Sequence, residues 1–361
     1  MRIIYTVDEV TAYLEELHGS LFHAEQSLST VPLLIDRFLE AAVEVDVDAV
    51  YDGTELFMGG IMEHVEEAGV HSGDSACVIP PRTLSPKTHQ QLVDYTQRLA
   101  EGLGVRGLLN IQFAVRGEDV FVLEANPRAS RTIPFVSKAT GVPLAKVATR
   151  VMMGERLSDL RRYGVLEAAG GGHVSVKEAV LPWKRFSAED RILGPEMRAT
   201  GEVMGIGATA GIAYAKAMLA AGHEIPAKGA LFLSLADRDK PLGVELGWVF
   251  VDLGFRIFAT HGTAGHLARA GIRSTHVDKV GDGPYDPVRL IEEGTIDVVV
   301  NTPRGGRARG DGRLIRGAAT RHDVPCVTTV QGGLALAESL LDGVGAVIDV
   351  MSIQEHLSRS A

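Results

Sequence analysis

The stretch FVLEANPRASRT, Phe121 to Thr132, begins as a strand and ends in chemistry: Glu124, Asn126, Arg128 and Arg131 fall within eight positions. Side chains two apart on a strand share a face, so Glu124 and Asn126 project together. The segment NIQFAV precedes it, and a three-residue hairpin loop would set Gln112 opposite Glu124 on the same face. One carboxylate and two amide carbonyls then converge. That all-oxygen set suits a hard divalent cation such as magnesium, which completes its shell with water and phosphate oxygens. The two guanidiniums that follow match the planar geometry of phosphate. Cation and arginine clamps together are the ingredients of phosphoryl transfer. The competing reading is structural: Glu124 as the exposed end of a strand, paired with Arg128 or Arg131.

Elements must position these groups. VEVDVDAVYD alternates, with Val43, Val45, Val47 and Ala49 on one side and Glu44, Asp46, Asp48 and Val50 on the other, which predicts a half-buried strand. ELFMGGIMEHVEE reads as a second strand and VHSGDSACVIPP as a turn-rich passage after it. SPKTHQQLVDYTQRLAEGLGV is an amphipathic helix, started at Ser85 or Pro86 and ended by Gly102 to Gly104. RGLLNIQFAV and EDVFVLEAN pair around a turn at Arg116 to Glu118, and VPLAKVATRVMMG is a further helix.

At the front, RIIYTV (Arg2 to Val7) has a strand pattern and DEVTAYLEELHG helical spacing. Such an abrupt opening is either an edge strand or a sign of missing earlier sequence. Residues 154–226 read as less regular, with GGG at Gly170 to Gly172 as a flexible loop and four glycines in Gly201 to Gly211. From Ala227 onward short apolar runs (ALFLSLA, GFRIFAT, DVVVNTP, PCVTTV, GAVIDV) alternate with helix-like segments such as HGTAGHLARAG and GGLALAESLL. That alternation predicts a parallel sheet with crossover helices. There is no repeat of fixed period.

The 361 residues, 45% hydrophobic, suffice for more than one core. A net charge of −10 argues against a general nucleic-acid binder. Cys77 and Cys326 form neither a disulfide framework nor a zinc motif. No apolar run reaches the ~20 residues of a membrane span, and MRIIYTVDEV lacks signal-peptide order. The expectation is a cytoplasmic protein acting on neither membrane nor nucleic acid.

NIQFAV, VLEANPRASRT, FVSKATGVPLAKVA, GGIMEHVEEAGVHSGDSA and GPEMRATGEVMG, in this order, resemble the large subunit of carbamoyl phosphate synthase. The likeness is to its second, carbamate-phosphorylating ATP-grasp half followed by its regulatory domain, and it covers essentially the whole chain. It implies an α/β protein with an α+β first part: an incomplete ATP-grasp domain with an antiparallel sheet, then a methylglyoxal-synthase-like parallel-sheet domain. The expected divisions are residues 1–153, a connector 154–226, and 227–361. The resemblance also implies that a glycine-rich phosphate loop, another arginine, the first synthetase half and an N-terminal subdomain precede Met1. The chain would then be the last third of the subunit. The corresponding expectation is that, alone, it binds ATP weakly at best and makes no carbamoyl phosphate, because the loop's phosphate-cradling N–H groups would be missing.

By position, the resemblance gives Gln112, Glu124 and Asn126 to Mg2+ (or Mn2+), and Arg128 and Arg131 to phosphate. Glu44 falls to the ribose of ATP, Asp36 and Leu39 to the stretch along adenine, and His71 and Ser72 to the nucleotide pocket. Glu66, Asp74, Glu178 and Thr328 match an ornithine activator site; without the resemblance, the acids would read as a solvated face. Implied partners are a carbamate or bicarbonate-derived substrate, a glutaminase small subunit reached through the absent portion and, as one option, further copies of the chain. The implied pathways are pyrimidine and arginine biosynthesis.

In the last part, ATHGTAG runs from a strand end into a helix start, where Thr260, Gly262 and Thr263 could donate to a phosphate; read alone, THGT is an N-cap. The resemblance matches Lys240, Thr260, Thr263, Lys279 and Asn301 to an effector nucleotide of the UMP or IMP type. Pro303, Cys326 and Val327 depart from the family pattern, which leaves the ligand's identity open. Arg304, Arg307 and Arg309 could close on a phosphate or form a solvated loop. Two readings compete with the ligase: a free-standing nucleotide-monophosphate sensor, and methylglyoxal synthase activity, for which no matching acid stands beside THGT.

Overall fold

The computed structural model describes residues 4, 6–22, 34–168, 172–183, 185–186, 190–302, 306–343 and 349–359; the side chains of 18–22, 306–309 and 359 lie outside that description. Contacts divide the chain into Met1–Ala41 and Ala42–Ala361. The first unit carries helix α1 (Val7–Phe22), with Asp8 and Glu9 in its first turn, where carboxylates meet the positive end of the helix dipole. The Thr6 hydroxyl accepts from the Glu9 N–H at 3.2 Å, a capping arrangement. Val7 is therefore helical rather than the end of a strand, and Arg2, Ile3 and Tyr5 of RIIYTV lie outside the described residues. Asp36 and Leu39 sit on a segment without regular structure.

The second unit opens with β1 (Val43–Tyr51), β2 (Leu56–Glu67), β3 (Cys77–Ile79), α2 (Pro86–Gly102), β4 (Gly107–Arg116) and β5 (Asp119–Asn126). Helices α3 (Ile133–Thr140), α4 (Leu144–Met152) and α5 (Leu157–Arg162) follow, then β6 (Val174–Val180), β7 (Gly201–Gly207) and α6 (Ala210–Ala220). The remainder runs β8 (Ala230–Leu235), α7 (Lys240–Asp252), β9 (Arg256–Thr260), α8 (His261–Arg269), β10 (Thr275–Val277), α9 (Pro287–Glu292), β11 (Val298–Thr302), α10 (Gly306–Arg321), β12 (Cys326–Val327), α11 (Val330–Gly343) and α12 (Ile353–Arg359).

Two sheets result. The first is antiparallel, in the order β5-β4-β1-β2-β3-β6-β7; the second is parallel, in the order β10-β9-β8-β11-β12. This is the expected succession of an antiparallel and a parallel α/β part. Of GAVIDV, residues 345–348 lie outside the described residues and Asp349 and Val350 are in no strand. Gly170, Pro303 and Arg304 lie outside them too, as do the side chains of Arg307 and Arg309.

The expected helix from Ser85 is present as α2: the Ser85 side chain accepts from the Thr88 N–H, with Pro86 following in the first turn. Its buried Leu92 and Ala100 pack on Val45, Val47, Ile111 and Phe113, the apolar face of the first sheet. The opposite face packs Val50, Met62 and Cys77 against α3, α4 and α5. Each fully buried Leu or Phe contributes about 1.5–3 kcal/mol relative to exposure. A third core joins α6, α7 and α11 to Leu231, Leu233, Val298 and Val300 of the second sheet and to Val78 and Val176 of the first.

Three expectations change. VEVDVDAVYD is not half-exposed: Glu44, Asp46 and Asp48 are all buried, because the acidic face is roofed by other elements. VHSGDSACVIPP contains the short strand β3. Residues 154–226 are irregular where expected, the described residues of 181–200 forming no helix or strand, yet they also supply α5, β6, β7 and α6. The glycines hid this. A Cβ on Gly205 would stand 2.0 Å from the Ala213 carbonyl oxygen, so α6 lies directly on the β7 backbone.

Candidate functional site

The β4–β5 hairpin turns on two residues, since Arg116 pairs with Asp119. An unbroken ladder would then place Gln112 against Leu123. A register shift between Gln112 and Phe113 inserts one extra residue, and Gln112 pairs with Glu124 instead. A β-bulge thus achieves what a three-residue loop was expected to do. Asn110 pairs with Asn126 two residues on, and Asn126 Nδ2 donates to Glu124 Oε1 at 2.8 Å. Glu124 is exposed. Among the described residues it has no ion pair with Arg128 or Arg131; Arg128 donates to the Ala129 carbonyl at 2.9 Å.

Gln112 Nε2 donates to Ser72 Oγ at 2.9 Å, leaving the amide oxygen as its remaining group. Lys177 Nζ, fully buried, donates to the Ser72 carbonyl at 2.9 Å. The loop after β2 is thereby drawn over the sheet face, with the His71 ring accepting from the Gly73 N–H at 3.0 Å. Below it, Glu44 Oε1 accepts from the Gly69 N–H at 2.9 Å. His64 stands 3.5 Å from both Glu44 and Asp46. Burial pushes the Glu44 carboxyl above its ordinary pKa, and the nearby His64 opposes this. For His64, burial works against the charge, but Cys77 and Asp46 outweigh it and hold its pKa well above the usual value.

Asp48 is fully buried and accepts three side-chain hydrogen bonds: Asn110 at 2.9 Å, Ser130 at 2.8 Å and Thr132 at 2.5 Å. Burial raises its pKa to about 6 despite these donors. Asp48, Asn110 and Lys177 were not singled out from sequence, although the alternation of VEVDVD already places Asp48 on the face of Glu44.

Glu66, Asp74, Glu178 and Thr328 line one cleft, joined by Trp183, Arg191 and Tyr214. Glu66 accepts from the Ser75 hydroxyl and the Ala76 N–H at 2.7 and 2.8 Å. Asp74 is taken up by the backbone N–H groups of Arg198 and Ala199. Glu178 is different: burial, reinforced by Glu66, raises its pKa to about 8, and among the described residues its Oε2 has no hydrogen-bond partner. Nor has the buried Nε of Arg191 among those residues.

Lys240, Thr260, Thr263 and Asn301 gather at the carboxyl ends of the parallel strands, where ligands bind in open α/β sheets; Lys279 follows β10. Thr260 is the N-cap of α8 but makes no side-chain cap; its hydroxyl donates to Thr263 Oγ1 at 3.2 Å. Thr263 also accepts from the Leu235 N–H. Lys240 Nζ lies 3.0 Å from where a Gly262 Cβ would be and pairs with the exposed Asp237 at 2.5 Å. Asn301 Oδ1 accepts from Arg316 at 2.6 Å. That guanidinium, wholly buried, also makes a two-bond pair with Asp190 at 2.7 Å. No helix among the described residues is long and apolar enough to cross a membrane.

Two stretches of the chain match known protein families. Residues 1–160 match the family described as "Carbamoyl-phosphate synthase L chain, ATP binding domain", and 244–328 match the "MGS-like domain". The carbamoyl phosphate synthase large chain of Rubrobacter xylanophilus is 50% identical over 341 residues, covering 94% of this chain and 31% of that one, so this chain spans about a third of its length. The large chain's C-terminal section from Aquifex aeolicus is 46% identical, covering 98% of this chain and 68% of that one. Among solved structures, the biotin carboxylase domain of Hydrogenobacter thermophilus 2-oxoglutarate carboxylase gives a TM-score of 0.40 at 18% identity, over 51% of this chain and 39% of that one. On the extent of the match to the Aquifex section, the chain belongs to the carbamoyl phosphate synthase large chain family.

Proposed function

We propose that this chain carries the nucleotide and metal seat at which a carbamoyl phosphate synthase phosphorylates carbamate, together with the sites that regulate it. The observation that carries the reading is the pairing of Gln112 with Glu124, beside Asn126, on one face of the β4–β5 hairpin. Among the described residues no three His, Cys, Asp or Glu side chains cluster as a metal site; one carboxylate and two amides suit Mg2+ or Mn2+ whose remaining charge is met by nucleotide phosphates. When bound, the cation neutralises charge on the transferred phosphoryl group. Arg128 and Arg131 complement phosphate oxygens, Glu44 accepts from ribose hydroxyls, and His71 and Ser72 wall the pocket. Catalysis of this kind is positioning plus electrostatics, with no covalent protein intermediate.

Residues 1–153 form the catalytic part in this reading, 154–226 the connector and 227–361 the regulatory part. The cleft of Glu66, Asp74, Glu178 and Thr328 takes an amine activator such as ornithine, since Glu178, once ionised, and Arg191 offer opposite charges to a zwitterion. Lys240, Thr260, Thr263, Lys279 and Asn301 take a nucleotide monophosphate. The parent protein works in the cytoplasm with a glutaminase small subunit, supplying pyrimidine and arginine synthesis.

Calorimetric titration of the chain with ADP, with and without Mg2+, tests the catalytic seat. Binding that requires Mg2+ and is lost in Glu124→Gln is expected. Binding indifferent to Mg2+, or unchanged in Glu124→Gln, would overturn the reading.

A further inference from the structure

Asp48 sits beneath the seat and touches neither the cation ligands nor the two arginines, yet three bonds converge on it from 62, 82 and 84 residues away in sequence. A carboxylate there is costly to bury; Val50, the next residue on that face of β1, is buried with no such need. What the carboxylate adds is connection. Asn110, its first donor, pairs across the hairpin with Asn126 of the seat. Ser130 and Thr132, the other two, stand on either side of Arg131.

Thr132 shows that these bonds displace another. It is the N-cap residue of α3, but makes no side-chain cap. Its hydroxyl goes to Asp48 at 2.5 Å, with the Ser130 hydroxyl 2.8 Å away. A threonine at an N-cap ordinarily accepts from the first turn of its own helix; here that role is given up so that the loop before the helix is tied to β1. Asn110 is buried as well, so removing the acid would strand its amide, and buried polar groups are rarely left unpaired.

We propose that Asp48 is a positioning residue for the phosphoryl-transfer site: it fixes Arg131 relative to the Gln112–Glu124–Asn126 seat by gripping both neighbours of the arginine and, through Asn110, the strand that ends in Asn126. The assignment of a purpose to this grip rests on the reading above, in which Arg131 faces bound phosphate; the grip itself does not.

Hydrogen exchange and nucleotide titration on the full chain separate the two. In Asp48→Ala, amides of residues 129–136 are expected to exchange at least ~10-fold faster while those of α2 are unchanged, since local opening reports local tethers. In the isosteric Asp48→Asn, which keeps one acceptor, the increase should stay below ~3-fold. Affinity for MgADP should follow the same order, falling ~10-fold or more in Asp48→Ala and little in Asp48→Asn. If Asp48→Ala does not fold, the pair Ser130→Ala with Thr132→Val removes the grip while leaving the acid bonded to Asn110, and should give the Asp48→Ala pattern. Unchanged exchange at 129–136, or equal loss of protection in α2, would overturn the proposal. So would faster local exchange with MgADP affinity intact. Should the unaltered chain fail to bind MgADP at all, the catalytic reading falls, and the exchange arm alone decides whether Asp48 holds the arginine loop.

Discussion

The amide nitrogen of Gln112 is held by the hydroxyl of Ser72 at 2.9 Å. One side chain of the loop after β2 therefore orients the amide of the residue that pairs with Glu124 across the hairpin. Lys177, bonded to the carbonyl of the same serine, keeps that loop in place.

Ser72→Ala removes this orienting bond. Loss of a partner behind a metal ligand typically weakens metal affinity by ~10–100-fold. Mg2+-dependent ADP binding should weaken within that range in calorimetry, while thermal unfolding shifts by no more than about 2 °C. Equal affinity in variant and wild type would show that the bond does not orient the ligand.

The Asp48 carboxyl has its pKa raised from 3.8 to about 6. Between those values the folded chain holds a proton that the unfolded chain has lost. Its contribution to stability is therefore complete below about pH 4 and gone above about pH 6. At ~1.4 kcal/mol per pH unit the gap corresponds to ~3 kcal/mol. Asp48→Asn does not titrate, so the stability of wild type relative to this variant, from urea unfolding, should fall by about that amount from pH 4 to pH 7. A constant difference would contradict the buried environment assigned to Asp48.

Glu178, with its pKa near 8, is largely protonated at neutral pH, and an ammonium ligand binds its ionised form. Affinity of the chain for ornithine should rise several-fold from pH 6.5 to pH 8, with proton release on binding visible in buffers of different ionisation heat. Glu178→Gln should flatten the profile. Affinity independent of pH in the wild type would place the amine elsewhere.

Arg316 is wholly buried and its charge is met by Asp190. Removing one partner of a buried pair leaves the other uncompensated, which costs about 3–5 kcal/mol. Asp190→Ala should lose stability at the lower end of that range in urea unfolding, because Asp190 keeps some exposure. Combining it with Arg316→Met should recover most of the loss. An additive double variant would show that the two residues act independently.

Much of this was legible in the residues. Ser85 and Pro86 announced α2, and the spacing of Glu124 and Asn126 announced a shared face. What stayed hidden depended on tertiary structure. Counting alternation back from the two-residue turn puts Gln112 against Leu123, and only the bulge corrects it. The glycines of β7 looked like punctuation because their use, room for the α6 backbone, belongs to a helix that follows them. Asp48 looked like one of three equivalent acids on a strand; its distinction comes from hydroxyls more than 80 residues away. The cleft acids were found only through family likeness, and Arg191 gave no sequence signal at all.

Lys177 and Glu178 are neighbours on β6, and a pleated strand must send neighbours to opposite faces. Lys177 reaches the loop over the hairpin's seat; Glu178 reaches the cleft beneath Tyr214. Only the β6 backbone separates these two neighbouring side chains. A ligand that alters the charge of Glu178 changes the potential felt by Lys177 without any element having to move. Whatever factor an occupant of one side imposes on binding at the other must be returned in equal measure. Both affinities can be measured with the other compartment filled and empty, and the two ratios have to agree.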